Sequence, residues 1–185
     1  MADGAADRQN NIFTIPNLLS AFRLLLVPVI AWLYCGQGDY PLTAGVLLLS
    51  GATDIADGFI ARRFRMVSDL GKVLDPVADK LTQAVALGCL LTRFSAIWWL
   101  LAVLVVKEAV MAAMGILVIR RTGTVYGASW HGKLATCILY GVILTHIVWY
   151  SIPQQISGLL ALAGAAGILL SLALYTLENI RRVRK

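Results

Sequence analysis

Six long apolar segments dominate this sequence and restrict the folds that it can adopt. Each is about 17–25 residues long, the length that an α-helix needs to cross roughly 30 Å of hydrocarbon. Hydrophobic residues make up 59% of the 185 residues and charged residues only 14%. This composition excludes a soluble globular protein and predicts an all-α integral membrane protein with six transmembrane helices. The predicted spans are 16–35, 42–60, 74–92, 95–119, 133–151 and 154–177.

The placement of lysine and arginine predicts the orientation of these helices. Basic residues cluster after the second and fourth spans and at the C-terminus, whereas Arg93 is the basic residue of the opposite side. The positive-inside rule therefore places both termini in the cytoplasm. We expect one domain over residues 1–185, with a polar N-terminal segment at 1–11 and a basic tail at 178–185. The start resembles neither a cleaved signal peptide nor a transit peptide, which favours a bacterial cytoplasmic membrane.

Four aspartates interrupt the apolar sequence at regular spacing. Asp54 and Asp57 are three residues apart in the second span, and Asp75 and Asp79 are four apart in the third, so each pair shares a helix face. A carboxylate at the centre of a membrane helix costs about 2.5–3.5 kcal/mol on insertion scales. A bound divalent cation would offset that cost, and hard oxygen ligands suit Mg²⁺ or Mn²⁺. The spacing therefore predicts a metal site formed by these four aspartates at the cytoplasmic edge.

Small residues extend the same helix faces, namely Gly58, Ala61 and Gly71. They leave space for a flat or bulky group to approach the backbone. In a simpler interpretation the aspartates are helix caps and salt-bridge partners of neighbouring residues such as Lys80, but four aspartates in facing registers disfavour it. A cation transporter is also disfavoured, because the carboxylates are confined to one edge and do not line a path through the membrane.

The stretch from Asp54 to Asp79 has the pattern D-x2-D-G-x2-A-R-x8-G-x3-D-x3-D. This pattern resembles the signature of the CDP-alcohol phosphatidyltransferases. Within that family, TIPNLLSAFR (14–23) is similar to the first helix of bacterial phosphatidylglycerophosphate synthases and of the related cardiolipin synthases. GASWHGKLAT (127–136) is similar to a segment before the fifth helix of the phosphatidylglycerophosphate synthases. The fourth span departs from that subgroup, because Lys107 precedes a glutamate where an arginine is expected.

The resemblance implies an enzyme that transfers a phosphatidyl group from CDP-diacylglycerol to an alcohol and releases CMP. It implies two Mg²⁺ or Mn²⁺ ions among the four aspartates, and Asp79 as general base with Asp75 beside it as a second catalytic carboxylate. It further implies a CDP site, formed by Asp57, Gly58, Ala61, Arg62 and Gly71. The other expected partners are membrane lipids and a second copy of the chain in a homodimer, with no role for nucleic acid.

The acceptor alcohol is expected to be glycerol 3-phosphate, whose phosphate needs cations beyond Arg62. Phosphatidylglycerol, which would make the protein a cardiolipin synthase, remains an alternative, followed by serine and inositol phosphate. Four basic residues are candidates for binding the acceptor phosphate: Lys107, Arg120, Arg121 and Lys133. Lys107 could equally pair with Glu108, and Lys133 could be a topology charge.

Two polar residues of the first span, Asn17 and Arg23, are further candidates for the site. A charge inside a membrane span indicates a functional residue by default, although Arg23 could instead be a structural partner of an aspartate in the second span. His146, in the fifth span, is expected to form hydrogen bonds in the helix core.

Overall fold

The computed structural model describes residues 14–64, 69–122 and 130–183, which form six helices without a β-strand in those ranges. This confirms the all-α class and the number of helices predicted. The helices are α1 (Ile15–Ala31), which continues as a π-helical turn (Trp32–Gln37), α2 (Tyr40–Phe64), α3 (Asp69–Leu91), α4 (Ile97–Thr122), α5 (Trp130–Val148) and α6 (Gln154–Val183).

Among the described residues, four helical segments are long and apolar enough to cross a membrane: Ile15–Gln37, Tyr40–Ala61, Ile97–Arg121 and Gln154–Ile180. α5 contains a shorter apolar stretch, Gly132–Val148. α3 carries charged residues among its apolar ones, including both aspartates of the second pair. That α3 and α5 also cross the membrane therefore stays a prediction. The same holds for the topology with six spans.

Several helices extend beyond the predicted spans. α3 begins at Asp69 and not at residue 74, and α6 continues to Val183 and not to residue 177. Apolar character marks the thickness of the hydrocarbon, whereas a helix ends where its backbone hydrogen bonds end. Polar residues at the helix ends therefore continue the helices past the predicted boundaries.

The start of α1 and the turn into α2 have identifiable local causes. The Asn17 amide donates to Thr14 Oγ1 at 3.4 Å, so the threonine caps α1. Gly38 ends the π-helical turn with φ 68°, a left-handed conformation that glycine adopts without a Cβ penalty. Asp39 then accepts the Leu42 amide at 3.0 Å and caps α2. The connection is consequently tight, and α1 and α2 form an antiparallel hairpin.

The described chain divides into two compact units, one ending at Cys89 and the other beginning at Leu90. In the first unit α1 packs along α2, and the π-helical turn contacts both helices. Its apolar core includes Ile30, Leu33 and Leu47. The rings of Tyr34 and Tyr40 meet edge to face, with centroids 5.2 Å apart.

In the second unit α6 packs against both α4 and α5 through small residues. A Cβ atom built on Gly164 would lie 3.2 Å from Leu100 Cδ1 and 3.3 Å from Val142 Cγ2. One built on Gly167 would lie 3.2 Å from Ile138 Cδ1. These glycines allow the helices to approach closely, as small residues do in membrane helix pairs.

His146 forms a polar connection inside the second unit. Its Nδ1 lies 2.8 Å from the Val142 carbonyl oxygen and its Nε2 lies 2.9 Å from Ser157 Oγ on α6. Since a carbonyl only accepts, Nδ1 carries the proton and the Ser157 hydroxyl donates to Nε2. The Phe94 ring packs edge-on against the imidazole, with centroids 5.0 Å apart. The expected core hydrogen bonding of His146 is confirmed.

A leucine at Gly164 should destabilise the second unit, whereas a leucine at Gly158 should not. Within the part of the chain that the structure describes, a Cβ at Gly158 would have no packing neighbour within 4 Å, so the same side chain begins there in open space. Overpacking typically costs about 1–3 kcal/mol. We expect Gly164→Leu to lower the midpoint of thermal unfolding in detergent and Gly158→Leu to leave it nearly unchanged. Equal midpoints for the two variants would contradict the close packing of α6.

Candidate functional site

The four aspartates occupy different environments on α2 and α3. Asp57 is the most buried, with 3% of its side chain exposed, whereas the Asp54 side chain is 48% exposed. The Asp79 side chain is 23% exposed. Asp57 is therefore enclosed by the protein, whereas Asp54, one turn earlier on the same face of α2, is accessible from outside.

Arg23 on α1 joins the two aspartates of α2. Its Nη1 donates to Asp54 Oδ1 and its Nη2 donates to Asp57 Oδ2, and only 1% of its side chain is exposed. A guanidinium that contacts carboxylates through separate N–H groups has both charge and a fixed geometry. The sequence left open whether Arg23 pairs with an aspartate of the second predicted span. In the structure it pairs with both Asp54 and Asp57.

Ser20 connects the α2 aspartates to α3. Its Oγ lies 3.5 Å from Asp57 Oδ2 and contacts Asp75 Oδ1, and it also lies 2.9 Å from the Pro16 carbonyl oxygen. These three oxygens are alternative acceptors for the single hydroxyl proton of Ser20. Two carboxylates from different helices meet at this hydroxyl, which brings Asp57 and Asp75 together as the sequence predicted.

Sequence reasoning did not identify Ser20, although the sequence contained a signal for it. Asn17, Ser20 and Arg23 are spaced i, i+3, i+6, which places them on one face of α1. All three are buried. A polar stripe on an otherwise apolar membrane helix indicates contact with other polar groups, and the two outer members of this stripe were already candidates.

Asp79 lies one helical turn after Asp75. Its Oδ2 accepts a hydrogen bond from Gln83 Nε2 at 2.9 Å, and Lys80 Nζ lies 3.8 Å from the same oxygen. The Gln83 side chain is buried and lies one further turn along α3. The Asp79 carboxylate is therefore oriented by its own helix while it remains accessible from solvent.

The residues expected to bind CDP also lie on α2 and α3. Gly58 and Ala61 are half-buried on α2, and Gly71 is buried in the first turns of α3. Arg62 belongs to α2, but its side chain lies outside the part of the structure that is described.

The candidate acceptor residues belong to the second unit. Lys107 is buried on α4, and its Nζ contacts Glu108 Oε1 at 2.8 Å, so the salt bridge considered as an alternative is formed. Arg120 and Arg121 are exposed in the last turn of α4, and Lys133 is exposed near the start of α5. Residues 127–129 of the segment before the fifth helix lie outside the described residues.

The donor atoms at this site suit a hard divalent cation. Carboxylate oxygens are the ligands that Mg²⁺ and Mn²⁺ prefer, and three of the four carboxylates are linked through Arg23 and Ser20. Across the described ranges, no three acidic, histidine or cysteine side chains are grouped as metal ligands would be. The carboxylates of Asp54, Asp57 and Asp75 instead contact polar side chains of the protein, those of Arg23 and Ser20.

Comparisons with known proteins show which family this chain resembles. A family model described as CDP-alcohol phosphatidyltransferase matches residues 13–176. A cardiolipin synthase (CMP-forming) of Streptomyces coelicolor is 39% identical over 119 residues, which are 62% of this chain and 55% of the relative. A CDP-diacylglycerol–glycerol-3-phosphate 3-phosphatidyltransferase of Pseudomonas fluorescens is 38% identical over 104 residues, which are 54% of this chain and 53% of the relative.

A third relative matches over a longer stretch. A probable phosphatidylglycerophosphate synthase of Mycobacterium tuberculosis is 30% identical over 159 residues, which are 83% of this chain and 75% of the relative. The matched part of the chain spans only about half the length of the Streptomyces and Pseudomonas relatives. The family match nevertheless includes all four aspartates together with Ser20 and Arg23, and extends into α6. The chain belongs to the CDP-alcohol phosphatidyltransferase family.

Proposed function

We propose that this protein transfers a phosphatidyl group from CDP-diacylglycerol to glycerol 3-phosphate, giving phosphatidylglycerophosphate and CMP. The observation that carries the proposal is the meeting of carboxylates from α2 and α3 around Ser20 and Arg23, in a chain of this family. The relatives named for glycerol 3-phosphate transfer and for phosphatidylglycerophosphate synthesis support this acceptor.

The four aspartates would hold two divalent cations, Mg²⁺ or Mn²⁺. When bound, these ions would stabilise negative charge on the diphosphate and on the departing CMP. Asp57 would contribute to both the metal site and the CDP site. Gly58, Ala61 and Gly71 present little side-chain bulk, so the nucleotide could approach the backbone closely, and Arg62 would bind a phosphate through its guanidinium.

The transfer itself needs a group that accepts one proton. The hydroxyl oxygen of the acceptor forms a bond to the phosphorus of the phosphatidyl group, and the bond from that phosphorus to the CMP oxygen breaks. Asp79 would take the hydroxyl proton, and CMP leaves with the electrons of the broken bond. The partial exposure of Asp79 and its hydrogen bond from Gln83 support this role.

Binding of the acceptor phosphate would fall to the basic residues proposed from the sequence. Arg120, Arg121 and Lys133 are exposed, which suits a small dianion arriving from the cytoplasm. Lys107 is a weaker candidate because its ammonium already contacts Glu108 at 2.8 Å.

Cardiolipin synthesis is the second candidate function. It would use phosphatidylglycerol as the acceptor, and the Streptomyces relative named cardiolipin synthase, 39% identical over 119 residues, favours it. Both reactions require the same transfer chemistry and differ only in the acceptor.

The setting proposed for this enzyme is a bacterial cytoplasmic membrane. Six spanning helices with both termini in the cytoplasm would place the aspartates on the side that holds nucleotides. The basic residues in the last turn of α4 and near the end of α6 support this orientation. The functional unit would be a homodimer, as the family resemblance implies.

Removal of divalent cations should abolish activity. Without them the carboxylates would repel the diphosphate of CDP-diacylglycerol. We expect CMP release by the purified protein to stop in EDTA and to return when excess Mg²⁺ or Mn²⁺ is added. Undiminished turnover in EDTA would contradict the metal site.

Asp79→Asn should reduce turnover by about 10²–10⁴-fold, because it removes the proposed general base while keeping the shape of the side chain. The matched control is Asp39→Asn, since asparagine also caps helices well and Asp39 only caps α2. CMP release and binding of CDP-diacylglycerol would be measured for both variants. An Asp79→Asn enzyme with more than about half of the wild-type rate would exclude the residue as the base.

Glycerol 3-phosphate should be preferred over phosphatidylglycerol, serine and inositol phosphate. The four acceptors would compete at equal concentration, with the products identified by mass spectrometry. Lys133→Ala should raise KM for glycerol 3-phosphate more than KM for CDP-diacylglycerol, because a phosphate clamp acts on ground-state binding. Arg93→Ala, which removes a charge from the predicted outer side, is the control. If cardiolipin were the dominant product, transfer to glycerol 3-phosphate would be contradicted and cardiolipin synthesis would take its place.

A further inference from the structure

Arg23 contacts the carboxylates of the proposed metal site without using all of their oxygens. Nη1 contacts one oxygen of Asp54 and Nη2 contacts one oxygen of Asp57. Since a carboxylate has two oxygens, each aspartate keeps a second oxygen that could bind a cation. The guanidinium and a cation are therefore able to share these carboxylates.

The burial of the three side chains indicates from which direction Arg23 approaches. Arg23 and Asp57 are almost fully buried, whereas nearly half of the Asp54 side chain is exposed. Arg23 thus lies on the inner side of the pair, and the open side lies beyond Asp54. A cation entering from the aqueous phase would meet the carboxylates from the side opposite the guanidinium.

Displacement of Arg23 by a cation is disfavoured by the same burial. A guanidinium that loses both carboxylates would remain charged, because arginine does not deprotonate in proteins. Its Nε is already buried, and none of the described residues forms a hydrogen bond with it. Losing the remaining contacts would leave a buried charge uncompensated, which is costly. Arg23 is therefore expected to stay in place when a cation binds.

Ser20 extends the same arrangement to α3. Its hydroxyl contacts Asp75 and lies 3.5 Å from Asp57 Oδ2, the oxygen that Arg23 also contacts. Asp57 is thus close to two other carboxylates, Asp54 and Asp75, whose charges act on it. Such a group of like charges holds together without a cation only when other groups offset the repulsion.

We infer that Arg23 and Ser20 are positioning residues that hold Asp54, Asp57 and Asp75 from the buried side in the arrangement that receives a divalent cation. The inference rests on the proposed function, because it assumes that these aspartates bind metal. Partners that orient metal-binding carboxylates typically change metal affinity by about 10–100-fold when they are removed. The competing interpretation, that Arg23 occupies the place of the cation, predicts a change in the opposite direction.

The test is Mn²⁺ binding to the purified full-length protein in detergent without substrate, measured from the electron paramagnetic resonance signal of free Mn²⁺. Arg23→Gln should lower the affinity about 10–100-fold. Arg23→Lys keeps the charge but loses the planar fork, so its affinity should fall between those of Arg23→Gln and the wild type. Ser20→Ala should lower the affinity less than Arg23→Gln. The control is Arg63→Gln, which removes the same charge from an exposed position of α2.

Each outcome is decisive. Unchanged Mn²⁺ affinity in folded Arg23 variants would overturn the inference and leave the proposed function standing. Higher affinity would also overturn it, because Arg23 would then compete with the cation. A wild-type protein that binds no Mn²⁺ would refute the proposed metal site and this inference with it. Size-exclusion profiles and unfolding midpoints would verify folding, and if Arg23→Gln does not fold, Arg23→Lys and Ser20→Ala decide the question.

Discussion

The buried ion pair between Arg23 and Asp57 is the interaction on which the first unit depends. Both side chains are almost completely removed from solvent. Removing one partner of a buried pair typically costs about 3–5 kcal/mol, because the other charge is left uncompensated. The pair therefore requires α1 and α2 to keep their register, and the tight connection through Gly38 and the cap at Asp39 holds the two helices together at their other end.

Buried polar side chains are paired in the second unit as well. His146 satisfies both ring nitrogens, one with its own helix and one with Ser157 on α6. Lys107 satisfies its ammonium with the adjacent Glu108. In both units these polar side chains form contacts with nearby partners inside an apolar helix bundle, since an apolar medium offers no water to replace them.

In the proposed function, the combination of carboxylates and arginine would allow a site for anionic substrates in a chain built for lipid. Asp54, Asp57 and Asp75 would repel a diphosphate if they were alone. Arg23 reduces that repulsion from the buried side, and the proposed cations would reverse it from the open side. The hydrogen bond from Gln83 orients Asp79 separately, within α3.

The sequence by itself determined the helical class, the number of helices and the faces on which the aspartates lie, because these depend on local periodicity and composition. Only the tertiary structure decided that Arg23 pairs with both aspartates of α2, that Ser20 joins Asp57 to Asp75, and that Gly164 is a packing contact whereas Gly158 is not. The helix ends and the π-helical turn were also beyond sequence reasoning. A helical pattern indicates which residues share a face, but the partner across the interface depends on the rotation and register of two helices, which are set by packing.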